Sequence, residues 1–215
     1  MNPTETVEAT ESEPRLTRRE ARRLQTRDEI VDAAWDLVRR HGLAGLSLRD
    51  LGKAVGMQAQ SLYSYFGSKA DIYDAMFHEG YLAFAAQGEE VMAELDRDQL
   101  GGVEALHRLA HTFFDFCTSD PVRYQLLFQR TIPDFVPSAE SYAVAVAAFD
   151  RFAEHVAGFG LTDPQALDVY TALMTGLTDQ QISNDPGGDR WARLVDSAVE
   201  MFLAAYAPHL LGPTT

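Results

Sequence analysis

Signals that start and stop helices recur along most of this 215-residue chain, and they constrain its fold more than any other feature. Apolar residues return at helical spacing between breaks rich in glycine and proline, such as 133–137 and 184–189. No segment of strand length alternates apolar and polar residues, and no internal repeat stands out. The pattern predicts an all-α fold of about nine helices, the later ones near 102–118, 121–130, 138–157, 164–183 and 189–206.

Composition and caps divide the chain into three parts. Residues 1–16 contain Glu, Thr, Ser and Pro with almost no bulky apolar side chain, so we expect a disordered acidic tail. Residues 17–68 form a predicted three-helix head, and 69–215 form a larger helical domain. Within the head, the order of helix, turn at Gly56 and helix is typical of a helix-turn-helix motif.

The first helix has two possible starts. Thr17 with Glu20, and Thr26 with Glu29, both match a capping box. If the helix begins at Thr17, the basic stretch 17–25 lies on its first turns. If it begins at Thr26, that stretch is a flexible arm of the kind that enters the minor groove of DNA. Both alternatives remain open at this stage.

Charge is distributed unevenly along the chain. The net charge is −14, yet the segment from Arg15 to Lys69 holds eleven basic and six acidic side chains, which leaves −19 for the remainder. Such asymmetry is typical of a protein whose basic part meets nucleic acid or an anionic surface. A solvated basic helix face is the alternative that charge alone leaves open.

Other features exclude several classes of protein. Cys117 is the only cysteine, so no internal disulfide is possible. Apolar runs are too short to span a membrane and the amino terminus lacks a signal-peptide pattern, so we expect a cytoplasmic protein with no membrane partner. Because no nucleophile elbow, phosphate loop or zinc motif occurs, we predict no enzyme and no cofactor, with an all-α enzyme kept as an alternative.

Two histidines and an aspartate form a polar stripe on one predicted helix. His107, His111 and Asp115 follow one another at intervals of four residues, on one side of a single helix. A third ligand one turn further along the same helix usually cannot reach a shared metal ion. We therefore predict no metal site here and expect a polar pocket wall or solvent-facing residues.

The second helix of the helix-turn-helix motif would present a polar and uncharged surface to the major groove, which is wide enough to admit a helix. Glutamine can pair with adenine through two hydrogen bonds, and tyrosine hydroxyls suit phosphate oxygens. Lys69 begins the next helix, where exposed N–H groups favour an anion. With Leu62 inward and Gln60 at the edge, the predicted outward residues are Gln58, Ala59, Ser61, Tyr63, Ser64 and Tyr65.

The run from Ile30 to Tyr73 resembles the DNA-binding domain of the TetR family of one-component transcriptional regulators. The resemblance implies a homodimeric repressor that binds double-stranded DNA at a palindromic operator. It also implies that 69–215 is a ligand-binding and dimerisation domain whose small-molecule effector releases the DNA. The matching segments are Ala33-Ala34, Leu37, Gly42, Leu46–Leu51, Gly56-Met57, Leu62–Phe66 and Gly67–Lys69.

The resemblance also assigns roles by position. Five residues would face bases or the nearby backbone: Gln58, Ala59, Gln60, Ser61 and Ser64. Four would hold phosphates, with Arg49 able to do either: Ser47, Tyr63, Tyr65 and Lys69. Gln58 and Gln60 replace residues that are usually small, so the operator sequence is unpredictable. Gly52 stands where Ala is usual and is expected to cost about 1 kcal/mol of helix propensity.

Large side chains in the C-terminal domain predict a ligand pocket between helices, because bundles commonly place such sites there. The acidic balance of this domain favours a neutral or cationic effector. A protein effector, or an activating role, is the alternative that retains DNA binding. The pocket candidates are Phe113, Cys117, Tyr124, Phe128, Tyr142, Phe149, Tyr170 and Met174.

The last two predicted helices carry more apolar surface than one core can absorb. Two such helix pairs can pack as a four-helix interface, which predicts the dimer contact. The candidates for that contact are Leu167, Leu194, Ala198, Met201, Phe202 and Ala205.

Overall fold

A computed structural model describes residues 17–212 of the chain, so the expected tail at 1–16 lies outside the described residues. The described part contains nine α-helices and no strand, which confirms the all-α prediction. Three short 3₁₀ turns connect them at 43–45, 192–194 and 208–210. The helices are α1 (Arg18–His41), α2 (Leu48–Ala54), α3 (Ala59–Leu62), α4 (Lys69–Arg97), α5 (Gly102–Ser119), α6 (Pro121–Phe128), α7 (Ala139–Ala157), α8 (Pro164–Asn184) and α9 (Val195–Tyr206).

Helix α1 begins at the first of the two capping boxes. The Thr17 hydroxyl accepts from the Glu20 N–H at 3.3 Å, and the Glu20 carboxylate accepts from the Thr17 N–H at 2.8 Å. The Thr26 hydroxyl instead donates to the Arg22 carbonyl one turn earlier, as in a helix interior. Residues 18–25 are therefore the first two turns of α1, and the alternative of a flexible arm is wrong.

The head is built around one apolar cluster. Helix α1 contributes Ile30 and Val38, and α2 contributes Leu51. Residues 57–66, called the recognition segment below, contribute Leu62 and Phe66. The first turns of α4 and one residue of α6 complete the cluster with Ile72, Tyr73, Met76 and Leu126. The head core thus extends past residue 68, and α4 is a structural member of the head.

A second cluster forms the core of the C-terminal domain, where α5, α8 and α9 pack on the distal half of α4. Helix α9 begins at Val195, six residues later than predicted. The Gln181 side chain accepts from the N–H groups of Trp191 at 2.9 Å and Ala192 at 3.2 Å, which holds this segment in a 3₁₀ turn before α9. None of the helices described for 17–212 combines the length and hydropathy needed to cross a membrane.

Gly52 is required by packing rather than merely tolerated. A Cβ at this position would lie 2.8 Å from the Met57 carbonyl oxygen and 3.1 Å from the Ala59 nitrogen, both main-chain atoms. The absence of a side chain therefore lets α2 approach α3 closely. The expectation that Gly52 only weakens α2 misses this contact.

We therefore expect Gly52→Ala to destabilise the head by roughly 1–3 kcal/mol, since overpacking outweighs the helix propensity gained. Chemical unfolding followed by circular dichroism measures the change. Gly88→Ala is the matched control, because a Cβ at Gly88 meets no atom within 4 Å, and it should be neutral or stabilising. A stabilised Gly52→Ala protein would contradict the packing argument.

Candidate nucleic-acid interface and ligand pocket

The segment from α2 to α3 presents a polar ridge to the outside of the head. Leu62 points inward and is 1% exposed. The α3 helix is a single turn, and the chain continues as turns to Phe66, whose N–H donates to the Leu62 carbonyl at 3.0 Å. The predicted contact residues divide into an exposed set, Arg49, Gln58, Gln60, Ser61, Tyr63 and Ser64, and a half-buried set, Ser47, Ala59, Tyr65 and Lys69.

This ridge has the geometry expected of a helix that contacts bases in the major groove. Its polar side chains point outward, and Leu62 anchors the segment in the apolar core. The Ser64 hydroxyl donates to the Ser61 carbonyl at 2.7 Å, so its free lone pairs can only accept from a base or a backbone group. The individual contacts to bases and phosphates remain predictions.

The ridge has an uncharged centre with a cation at each end. Residues 54–68 carry no charged side chain, and cations stand at both ends of the segment. Lys53 pairs with Asp50 at 2.9 Å, and this hydrogen bond lowers the pKa of the Asp50 carboxyl. The Lys69 ammonium lies 5.3 Å from the centre of the Tyr73 ring, at the start of α4. An uncharged centre between cations is the pattern expected of a segment whose centre approaches base edges while its ends meet phosphates.

Two arginines that sequence reasoning did not assign to this surface brace it from behind. The Arg23 guanidinium donates to the Ser64 carbonyl at 2.8 Å, and the Arg27 guanidinium donates to the Tyr65 carbonyl at 3.4 Å. Arg27 also lies 4.4 Å from the centre of the Phe66 ring. These contacts satisfy main-chain carbonyls at the end of the recognition segment and hold the early turns of α1 against it.

A cavity of about 270 Å³ lies in the C-terminal domain, between α4, α5, α7 and α8. Five of the predicted pocket residues line it: Phe113, Phe128, Phe149, Tyr170 and Met174. Helix α4 contributes residues that the sequence did not single out: Phe84, Ala85, Gly88, Glu89 and Met92. Gly88 was a usable signal, because a glycine inside a long helix often marks close approach or open space.

Three predicted pocket residues lie elsewhere, which corrects the prediction for them. Cys117 is fully buried in the aromatic cluster behind the cavity, where desolvation raises the pKa of its thiol. Tyr124 is also buried there, and its hydroxyl donates to the Thr175 carbonyl at 3.3 Å. Tyr142 is 56% exposed and lines a separate, smaller cavity. Cys117 and Tyr124 pack inside the bundle and therefore do not line the cavity.

Helix α7 covers the cavity and packs mainly on α4. Of its nineteen residues only Ser141 and Val156 are buried, near its two ends. At the amino-terminal end, the Asp74 carboxylate on α4 accepts from the Ser138 N–H at 2.7 Å and from the Ser141 hydroxyl at 2.9 Å. The middle of α7 therefore lies over space that a bound molecule can fill.

The two histidines of α5 connect helices. His107 Nδ1 and His111 Nε2 each lie 2.8 Å from the same carboxylate oxygen of Asp196 on α9, and these hydrogen bonds lower the pKa of that carboxyl. Asp115 is exposed and is not part of this contact. The two histidines are thus neither a pocket wall nor free in solvent, which corrects the expectation for them, whereas Asp115 faces solvent as expected. Among the described residues no group of side chains is arranged to hold a metal ion.

The predicted dimer residues face in two directions. Leu167, Ala198 and Phe202 are buried in the core of the protomer, so they are unavailable to a partner and the prediction is corrected for them. The other three remain on the surface: Leu194, Met201, which is 69% exposed, and Ala205. Helix α9 therefore has two apolar faces. The face with Ala198 and Phe202 packs in the core of the protomer, and the face with Met201 and Ala205 is exposed.

Comparisons with known proteins agree with this geometry. Residues 30–76 match the family model described as bacterial regulatory proteins of the tetR family. The chain is 29% identical over 124 residues to the HTH-type transcriptional regulator AlkX of Mycobacterium tuberculosis, which covers 57% of this chain and 56% of AlkX. It is 24% identical over 204 residues to the HTH-type transcriptional regulator Rv1816 of the same species, with 86% of each chain covered.

A solved structure extends the likeness to the whole fold. The transcriptional regulator FadR from Bacillus subtilis, solved in complex with stearoyl-CoA, superposes with a TM-score of 0.61 at 18% identity. The superposition covers 82% of this chain and 97% of FadR. These relatives are regulators, so the alternative of an all-α enzyme is not favoured. The helix-turn-helix head matches the tetR family model, and the curated relatives and the fold support a DNA-binding transcriptional regulator of the TetR type.

Proposed function

We propose that the protein is a dimeric repressor that leaves a palindromic operator when a small molecule fills the cavity beneath α7. The observation that carries the proposal is the shared position of α4. Its first turns supply Ile72 and Met76 to the head core, and its later turns supply Phe84 and Met92 to the cavity wall. A ligand that shifts α4 therefore shifts the head with it.

Two further contacts support this coupling. The Asp74 carboxylate fastens the start of α7 to α4 directly beside the head. The Arg39 Nε on α1 donates to the Asp120 carboxylate at the start of α6 at 2.9 Å, and Leu126 of α6 lies in the head core. Occupancy of the cavity changes the equilibrium between two arrangements of the head only if the ligand prefers one of them.

Dimerisation is supported by the free apolar face of α9. Met201 on this helix, and Leu194 in the 3₁₀ turn that precedes it, are large apolar side chains left exposed. Two copies that pack through α8 and α9 would place their recognition segments about 34–36 Å apart, which is one turn of DNA. Light scattering of the purified protein should then give twice the mass of the 23.8 kDa chain.

Selection of DNA fragments tests the function directly. The purified protein is mixed with random-sequence duplexes, and bound duplexes are recovered and sequenced over several rounds. We expect enrichment of a palindrome whose half-sites are centred about 10 base pairs apart or a multiple of that spacing. Failure to enrich any motif would contradict specific binding, and a single asymmetric motif would contradict the dimeric arrangement.

The cavity has its own prediction. A Cβ at Gly88 meets no atom within 4 Å, so Gly88→Leu should fill the cavity without weakening α4. Fluorescence titration with the small uncharged dye 1-naphthylamine should show dye affinity reduced at least about tenfold, since bound dye would then overpack the cavity at a cost of roughly 1–3 kcal/mol. Ala86→Leu, which adds similar bulk on the exposed side of α4, is the control. Equal dye binding by both variants would show that the dye binds elsewhere.

A further inference from the structure

The lining of the cavity indicates what kind of effector it accepts, on the premise of the proposed function that this cavity is the effector site. We propose that the effector is an uncharged, mainly hydrocarbon molecule, and that an ion pair between Glu89 and Arg151 excludes organic anions from it. A cavity of about 150 Å³ holds benzene, so the 270 Å³ available here suits about ten carbon atoms.

The walls of the cavity are almost entirely apolar. Aromatic rings from five helices, α4 to α8, line it. The centres of the Phe84 and Phe128 rings lie 5.4 Å apart, and the Phe113 ring lies 5.3 Å from Phe128. Met174, which is 2% exposed, and Tyr170, which is 5% exposed, form its buried end. Such a surface gains free energy from apolar contact and offers little to a polar ligand.

The hydroxyl groups on the walls are already engaged. Each donates its proton to a main-chain carbonyl, so none is free to donate to a ligand without losing an existing hydrogen bond. The pairs, at 2.7–3.0 Å, are Tyr81 with Leu127, Thr112 with Arg108, Tyr170 with Leu106, Thr171 with Leu167 and Thr175 with Thr171. The ligand is therefore held by shape and apolar contact rather than by hydrogen bonds from these hydroxyls.

The charged groups of the lining neutralise each other. Glu89 on α4 and Arg151 on α7 are the two charged side chains among the described residues that line the cavity, and they form an ion pair. Both are about half exposed, which places the pair where the cavity meets solvent. A carboxylate or phosphate would have to displace Glu89 from Arg151.

The surroundings of the pair add to this barrier. Glu90 on α4, with Asp150 and Glu154 on α7, are exposed carboxylates close in sequence to the two members of the pair. They lower the local concentration of anions at the opening. Burying an unpaired charge in the apolar interior would cost more still. The ion pair and its neighbours thus act as a filter for charge, while the cavity behind them selects for apolar shape.

Displacement of 1-naphthylamine, a fluorescent dye whose size matches the cavity, by three ligands of equal chain length tests the proposal. The ligands are 1-decanol, decanoate and decylammonium, each used below its aggregation limit. We expect 1-decanol to compete at least about tenfold better than either ion, because a charge must be desolvated or left unpaired. Decanoyl-CoA should compete no better than decanoate.

Charge-removing variants assign the selectivity to the ion pair. Glu89→Gln leaves Arg151 unpaired and should improve decanoate relative to 1-decanol by at least about threefold, while Arg151→Gln should do the same for decylammonium. Glu94→Gln is the matched control. Glu94 lies on α4, as Glu89 does, and pairs with Arg108 of α5 at 3.0 Å, but it does not line the cavity. It should leave all three affinities in their wild-type ratios.

Several results would overturn the proposal. Tighter competition by decanoate or decanoyl-CoA than by 1-decanol in the wild-type protein would show that the effector class is anionic. Unchanged ratios in both Glu89→Gln and Arg151→Gln would remove the ion pair from the account. Absence of binding by the dye and all ligands would reject the cavity as a site for such molecules, whereas the selection of DNA fragments, which needs no ligand, would still test the repressor function.

Discussion

Replacing Ser61 with aspartate should reduce operator affinity by about 100-fold. Ser61 is exposed at the third position of α3, in the middle of the uncharged ridge. A carboxylate there would face phosphates and base edges, and like charges brought together at an interface cost several kcal/mol. The fold should tolerate the change, because an acidic side chain in the first turn of a helix is favourable. Fluorescence anisotropy on the selected operator measures the affinity.

The control must add the same charge elsewhere. Thr162→Asp lies in the exposed loop between α7 and α8, far along the chain from the head, and changes the net charge by the same amount. It should lose only the small affinity expected from general electrostatics. If Ser61→Asp bound the operator as tightly as Thr162→Asp, the reading surface would lie elsewhere on the head.

The second large effect is expected from Leu62→Ala. Leu62 is the apolar anchor of the recognition segment and packs into the head cluster with Leu51 and Phe66. Truncation of a buried leucine costs about 2–5 kcal/mol, which is a large share of the stability of a small domain. The head should unfold at lower denaturant concentration than the C-terminal domain, and operator binding should fall in proportion to the folded fraction.

Two tryptophans allow this prediction to be measured in each part of the protein. Trp35 is buried in the head, and Trp191 lies beside α9 in the C-terminal domain. In a Trp191→Phe background, the fluorescence of Trp35 reports the unfolding of the head alone. Leu24→Ala on the exposed side of α1 is the control and should stay within about 0.5 kcal/mol of the parent. Equal stability of the two variants would contradict the anchoring role of Leu62.

The helix starts that depend on contacts between neighbouring residues could be predicted from the sequence. The capping residues Ser47, Ser68, Asp120 and Asp163 each accept from an N–H in the first turn of the helix that they precede, as the sequence indicated. Such bonds join residues two or three positions apart, so the sequence alone contains both partners. The exposed side of α3 could be predicted for the same reason, because Leu62 at helical spacing fixes which neighbours face outward.

Long-range contacts decided what the sequence left open. Thr17 and Thr26 are equivalent as caps, and contacts of Arg23 and Arg27 with the recognition segment accompany the longer helix. The late start of α9 depends on Gln181, ten residues before Trp191.

Sites shared between helices were the hardest to predict. A stripe of apolar residues on α9 does not say that Phe202 is buried and Met201 is exposed, because both faces are apolar. The α4 wall of the cavity was missed because aromatic residues are denser in the later helices, although Phe84 and Gly88 lie on it. Which side chains surround a cavity depends on how helices cross, and spacing within one helix does not contain that information.

Chemical probing of the bound operator tests the central claim most directly. Dimethyl sulfate methylates guanine N7 in the major groove and adenine N3 in the minor groove, so interference by each modification reports which groove the protein occupies. With α3 in the major groove of each half-site, we predict interference from guanines methylated at N7. These guanines should form two patches separated by about one helical turn or by a whole number of turns. Interference from adenine N3 alone, or from one patch only, would contradict the account.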